Sequence, residues 1–237
     1  MDPATSPAAQ AATASAEAGT SSTAASASGA RPPGSATAAG TALGVTATRR
    51  GRREQILAAA AGLFAQRGFH GVSIDDLGAA VGISGPAIYR HFPSKEAMLR
   101  DMLVGISERL LAEGRRRVSQ AGAPDAALRA LVGWHVEFAL TEPALITVQE
   151  RALASLAEAD QQHVRRLQRR YVETWVDVIV AVVPTTDEAV ARAAAHAVFG
   201  LINSTPHSAL LNRDAMAALL RRMALAALTS PGALTSG

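Results

Sequence analysis

The chain has 237 residues, a net charge of +3 and no cysteine. The missing thiols exclude disulfides, thiolate metal sites and cysteine nucleophiles, and outside the polar N-terminus no run of about 18 uncharged apolar residues reads as a membrane-spanning helix. Charge is unevenly placed: residues 49–100 carry eight Arg or Lys against four Asp or Glu, residues 101–237 carry fourteen of each, and residues 1–48 carry one Arg against Asp2 and Glu17. The positive excess belongs to one short segment, which is the local footprint of a nucleic-acid-binding unit and not of a uniformly basic coat protein.

Residues 1–48 are rich in Ala, Ser, Thr, Gly and Pro and hold almost no large apolar side chain. Such a stretch cannot bury a core, so it reads as a disordered tail. It lacks the basic start and long apolar centre of a signal peptide. The run Arg49, Arg50, Arg52, Arg53 follows. It is either a solvated charged tail or an arm that contacts phosphates or the minor groove. A helix is expected from Arg53 to Gly68, with Ile56, Leu57, Ala60, Leu63 and Phe64 on its apolar face.

The stretch Ser73 to Lys95, SIDDLGAAVGISGPAIYRHFPSK, is the most informative. Ser73 with Asp76 three residues later is a capping-box-like start. Ile74, Leu77 and Val81 make a short amphipathic stripe, and Gly82 ends it. Ser84 suits the next N-cap and Pro86 the first turn. Ile88 and Phe92 face inward, which leaves Ala87, Tyr89, Arg90 and His91 outward. Pro93 stops that helix and Ser94 caps another. Helix, tight turn, helix is the arrangement that places a helix in the major groove of DNA. Tyr89 also reads as a core aromatic with a surface hydroxyl, and His91 as a cation at a helix C-terminus. Lys95 is the only lysine in the chain.

The residues RREQILAAAAGLFAQRGFHGVSIDDLGAAVGISGPAIYRHFPSKEAML, from about Arg50 to Leu99, resemble the DNA-binding domain of the TetR family of bacterial one-component repressors. The resemblance implies that Ser73, Tyr89, His91 and Lys95 contact phosphates and that Ser84 to Arg90 is the recognition helix. The chain departs from the family pattern at Gly85-Pro86, where many members have Lys-Gly, and at Ala87, where many have Thr. Base readout then leans on Arg90, Ser84 and apolar contact through Ala87. The expected interface is Arg49, Arg50, Arg52, Ser73, Ser84, Gly85, Pro86, Ala87, Tyr89, Arg90, His91 and Lys95.

From Ser94 onward the pattern is helical throughout. Helices are expected over Ser94 to Arg117 (stripe Met98, Met102, Ile106, Leu110), Asp125 to Leu140, and Pro143 to Leu156. Three more follow: Ala159 to Val183 (Val164, Leu167, Tyr171, Trp175, Val178, Val182), Thr186 to Asn203, and Asn212 to Thr229. A Ser-Thr-Pro break precedes the last. The fold class is all-α with about nine helices: a tail (1–48), a three-helix helix-turn-helix domain (49–94), a further helical domain (95–230) and a flexible C-terminus (231–237).

The family resemblance implies that this second domain binds a ligand and dimerises, with its last two helices packing against their twofold mates. The expected seam is Val190, Ala194, Ala197, Val198, Leu201, Met216, Leu219, Leu220 and Met223; the same stripes could instead face their own core. A dimer also follows from DNA geometry, since one short recognition helix reads few bases. Candidate pocket residues are Met102, Ile106, Trp134, His135, Phe138, Gln149, Tyr171, Trp175, Phe199 and Asn203. Gln149-Glu150-Arg151 interrupts an apolar helix and is either buried and paired or solvent-facing.

The stretch VQERALASLAEADQQHVRRLQRRYVETWVDVIV resembles a subgroup of the family that includes regulators of lipid and sterol breakdown, some sensing acyl-CoA thioesters. Arg165, Arg166, Arg169 and Arg170 could meet CoA phosphates or form a solvated face. The six histidines show no metal-ligand spacing, and no phosphate loop or nucleophile elbow is present. The expectation is a cytoplasmic, nucleoid-associated homodimeric repressor without cofactor, metal or enzymatic activity. It would bind a double-stranded operator and be released by a small apolar effector such as an acyl-CoA. Alternatives are a ligand-independent architectural DNA protein, a multidrug-sensing repressor of an efflux gene, and an enzyme using the helical pocket.

Overall fold

The computed structural model describes residues 38–208, 210–230 and 234, and within 38–50 the helical backbone alone. The chain divides into units Met1–Ala42 and Leu43–Gly237. Of the first, only the opening residues of one helix are described, so most of the expected tail lies outside the described residues. All that follows concerns the second unit.

The described elements are all helical. In order they are α1 (Ala38–Arg67), α2 (Ile74–Ala80), α3 (Gly85–Ile88), α4 (Lys95–Gln120), α5 (Pro124–Thr141), α6 (Pro143–Ala152), a 3₁₀ turn (Leu153–Ser155), α7 (Glu158–Val182), α8 (Glu188–Asn203), α9 (Thr205–Ser208) and α10 (Arg213–Thr229). Two differences from the sequence reading stand out. The helical backbone of α1 begins at Ala38, well before Arg53, because the Ala-rich segment carries no proline after Pro33. The Ser-Thr-Pro break holds a single helical turn, α9, pinned to α5 by the Thr205 hydroxyl donating to the Ala139 carbonyl at 3.1 Å.

The head, α1 to α3, is organised by local chemistry. Ser73 caps α2 and Asp76 returns the bond to the Ser73 N–H, a complete capping box. Gly82, at φ +71°, turns the chain between α2 and α3 in a region that L side chains avoid. Gly78 lets α2 lie against that turn: a Cβ there would come within 2.6 Å of the Ile83 carbonyl oxygen. Ile56, Ala60, Phe64, Leu77, Ile88 and Phe92 then close the small core between the three helices.

Behind the head, α4 packs on α5 and α7, α5 on α7 and α10, and α8 on α7 and α10. Gly114 of α4 makes the closest approach possible, since a Cβ would lie 2.7 Å from Cε2 of Tyr171 on α7. The α7 stripe is buried as its spacing requires, from Val164 through Trp175 to Val178, with Val182 partly covered. Asp187 caps α8 and Asn212 caps α10 through side-chain oxygens. Within the segment read as a flexible C-terminus, Leu234 is buried and its carbonyl accepts from the Thr186 hydroxyl at 2.6 Å. Thr186, expected to open α8, spends its hydroxyl on that contact instead, and Asp187 is the cap.

Candidate nucleic-acid interface and buried core site

The second helix of the pair, α3, is short. After Ile88 it tightens into turns in which Arg90 and His91 N–H groups donate to carbonyls three residues back. Ser84 sits at the N-cap position without a side-chain cap bond, so its hydroxyl is left for an outside partner. Ser84, Pro86, Tyr89 and Arg90 are exposed, with Tyr89 at 55%, while Ala87 and His91 are half-covered. An aromatic this exposed, at the C-cap of α3 between the buried Ile88 and Phe92, is held outward by the turn that ends the helix.

Other members of the expected interface are placed differently. Gly85 is buried and faces Asp75 of α2 so closely that a Cβ would collide with the carboxylate, so it serves helix packing. The Ser73 hydroxyl donates to Asp76 at 2.6 Å and accepts from its N–H, so its single O–H is already spent and a phosphate, which can only accept, would have to displace Asp76. Hydrogen bonding from Ser73 and the nearby Arg67 keep the Asp76 carboxyl below its usual range. Arg52 reaches across to the Val81 carbonyl at the end of α2, 3.3 Å away. The side chains of Arg49 and Arg50 lie outside the described residues.

Lys95 is the clearest case of a role set by folding. Its ammonium donates to the Phe69 carbonyl at 2.9 Å and the Val72 carbonyl at 2.8 Å, and it stands 4.5 Å from the centre of the Phe69 ring. It staples the α1–α2 loop to the start of α4, with one N–H left over. Arg53, read within the arginine run but left out of the expected interface, lays its guanidinium over the Phe92 ring at 4.5 Å and pairs with Asp101 of α4. Arg100 then joins Asp101 to Asp160 of α7. Head and body are thus tied by a chain of charges whose only sequence signal was the arginine run.

A different chemistry occupies the centre of the C-terminal helices. His135, Phe138, Tyr171, Trp175 and Phe199 form one ring cluster, with centroids between 4.7 and 6.2 Å for the contacting pairs. The Tyr171 hydroxyl lies 3.4 Å from His135 Nδ1. Burial pushes the His135 pKa down to about 4 and raises that of Tyr171, so both are neutral near pH 7. Asn203 lies beside His135 and opposes the effect of burial, yet neither its Oδ1 nor His135 Nε2 completes a hydrogen bond of normal geometry. The indole N–H groups of Trp134 and Trp175 are also unpartnered. Buried polar groups without partners are costly, and three of these atoms, on His135, Trp175 and Asn203, belong to or lie beside the aromatic cluster.

Not every expected pocket residue joins this cluster. Trp134 instead lies under the Arg117 guanidinium at 5.1 Å. Gln149 is half-buried on α6, and Glu150 and Arg151 are exposed, so that triplet faces outward. Met102 and Ile106 line a separate groove. Arg165, Arg166, Arg169 and Arg170 form an exposed face of α7. Among the expected seam residues, Val198, Met216 and Leu220 are buried in the chain's own core, a correction that follows from the direction of their stripes. Ala197 and Met223 are exposed, and Val190, Ala194, Leu201 and Leu219 are half-covered.

An exposed, short α3 locked to α2 by a glycine turn, with the loop before α2 stapled to a long α4, defines a helix-turn-helix DNA-binding regulator of transcription. The family model "Bacterial regulatory proteins, tetR family" matches residues 56–102, and "Tetracyclin repressor-like, C-terminal domain" matches residues 121–207. The chain belongs to the TetR family. It is 31% identical over 137 residues to the HTH-type transcriptional repressor KstR2 of Rhodococcus jostii, which covers 57% of this chain and 67% of that protein. A TetR-family transcriptional regulator from Bordetella parapertussis superposes with a TM-score of 0.68 at 27% identity, over 78% of this chain and 98% of that one. The ketosteroid transcriptional regulator KstR2 of Mycobacterium tuberculosis shares the fold at a TM-score of 0.61 and 23% identity, over 78% of this chain and 96% of that one.

Proposed function

We propose that this chain is a cytoplasmic repressor that binds a pseudo-palindromic operator as a homodimer and is released by an apolar effector held in its C-terminal half. The observation that carries the reading is the continuity of α4. One helix of 26 residues begins at Lys95, which staples the reading head, and passes Gly114, which lies against Tyr171 of the aromatic cluster. A rearrangement of that cluster would move α4 as a rod about 40 Å long and so change the separation of two α3 helices in a dimer. Release follows only when the effector binds the off-DNA arrangement more tightly.

On the DNA, Tyr89, His91 and the remaining N–H of Lys95 are proposed to hold phosphates, with Arg90 and Ser84 reading base edges beside Pro86 and Ala87. The partners for the effector are the rings of the cluster and the unpartnered polar atoms of His135, Trp175 and Asn203. A CoA thioester is the effector to test first, because the exposed α7 arginines offer forks for its phosphates. The similarity to KstR2 supports repression as the outcome.

The test is fluorescence anisotropy of the full chain on its own upstream promoter DNA, with and without palmitoyl-CoA. Binding that the thioester releases supports both parts of the proposal. Binding that the thioester leaves untouched keeps the repressor and discards this effector class.

A further inference from the structure

Two acidic residues stand side by side in the first turn of α2, and only one of them has structural work. Asp76 is held by the Ser73 box and by Arg67. Asp75 is exposed and, among the described residues, has no hydrogen-bond or ion-pair partner. Its position is set by α3. A Cβ added at Gly85, the first residue of α3, would run into Asp75 Oδ1 and stand 3.1 Å from its Cγ. Gly78, one turn further along α2, meets the same place, since a Cβ there would come within 2.9 Å of the Gly85 nitrogen. Asp75 and Gly78 therefore share the face of α2 that abuts the start of α3, and the Asp75 carboxylate lies beside that start.

In a helix-turn-helix unit the N-terminal residues of the second helix are the ones that meet base edges. Here they offer few polar groups. Gly85 is buried and bare, Pro86 has no N–H, and Ala87 is apolar, which leaves the Ser84 hydroxyl. An unpaired carboxylate at this end is repelled by DNA phosphates. In the major groove it gains only from an amino group, because it accepts and cannot donate. Cytosine N4 supplies one, whereas guanine and thymine turn acceptor oxygens toward it. Adenine sets an acceptor nitrogen beside its amino group, a pattern that suits an amide better than a carboxylate.

We infer that Asp75 is a base-reading residue that selects cytosine at one position of an operator half-site and weakens binding to DNA that lacks it. The inference rests on the operator reading above and adds a residue from α2 to Arg90 and Ser84. The acid acts twice: it rewards one base and penalises the unspecific phosphate backbone.

The test uses the full chain to select from DNA duplexes with a randomised centre, followed by fluorescence anisotropy at about 50 mM salt on the selected duplex and on a scrambled one. Wild type should fix a cytosine that Asp75→Asn shifts toward adenine and Asp75→Ala leaves open, with the other positions kept. Asp75→Ala should bind the selected duplex at least about fivefold weaker and the scrambled duplex about twofold or more tighter. Circular dichroism melts establish that both variants are folded at the assay temperature. The inference is overturned by variants that keep the wild-type preference at every position. It is also overturned by Asp75→Ala weakening both duplexes alike, the mark of an acid that serves only the start of α2. A wild type that enriches no sequence overturns it together with the operator reading.

Discussion

The Lys95 ammonium stands 4.5 Å from the centre of the Phe69 ring while donating to the carbonyls of Phe69 and Val72. A single lysine therefore fixes the loop that leads into α2 against the first turn of α4. Its role on DNA, if it touches a phosphate, comes on top of that structural task.

Lys95→Met should lower the unfolding free energy by about 2–3 kcal/mol, from two part-buried, charge-assisted hydrogen bonds and the ring contact. Urea denaturation reads this directly. A variant as stable as wild type but weaker on every DNA sequence would show that the side chain acts through phosphate alone.

Two glycines of α4 should respond in opposite directions to the same substitution. Gly114→Ala pushes a methyl within 2.7 Å of Tyr171 and should cost about 1–3 kcal/mol. Gly105→Ala meets nothing and should stabilise by about 0.5–1 kcal/mol. Matched thermal melts check the pair, and the same sign for both would contradict the packing described for α4.

His135 should make the protein acid-sensitive. Its pKa is pushed down to about 4 in the fold, from about 6.5 in an unfolded chain. The unfolded state therefore binds the extra proton first. Stability from the neutral ring is present above about pH 6.5 and is lost as pH falls toward 4, by about 3 kcal/mol at the lower end. His135→Gln should show a shallower loss over that window. Parallel curves for the two proteins between pH 6.5 and 4 would sink the idea.

On DNA, the exposed residues that follow α3 make separable predictions. Tyr89→Phe should weaken binding by a few-fold on all sequences, since a phosphate contact carries no sequence information. Arg90→Ala should cost about 1–3 kcal/mol on the operator and relax preference at one position. Equal loss on operator and random DNA would remove Arg90 from base reading.

The all-helical class, the Ser73–Asp76 box, the Gly82 turn and the buried stripes of α1, α4 and α7 are legible in the chain alone. Each is a local matter: a cap needs residues three apart, and an amphipathic repeat can bury only one side of a helix. The repeat does not say what that side is buried against. Met102 and Ile106 share a stripe with Leu110, yet line the groove against α1 instead of the aromatic cluster. Val198, Met216 and Leu220 lie on stripes that suit a partner subunit equally well, and the packing of α8 on α10 turns them inward. Lys95 finds its carbonyls 23 and 26 residues away, and Arg53 finds Asp101 48 residues away. Pairings at such separations depend on how helices cross, which only the assembled tertiary structure decides.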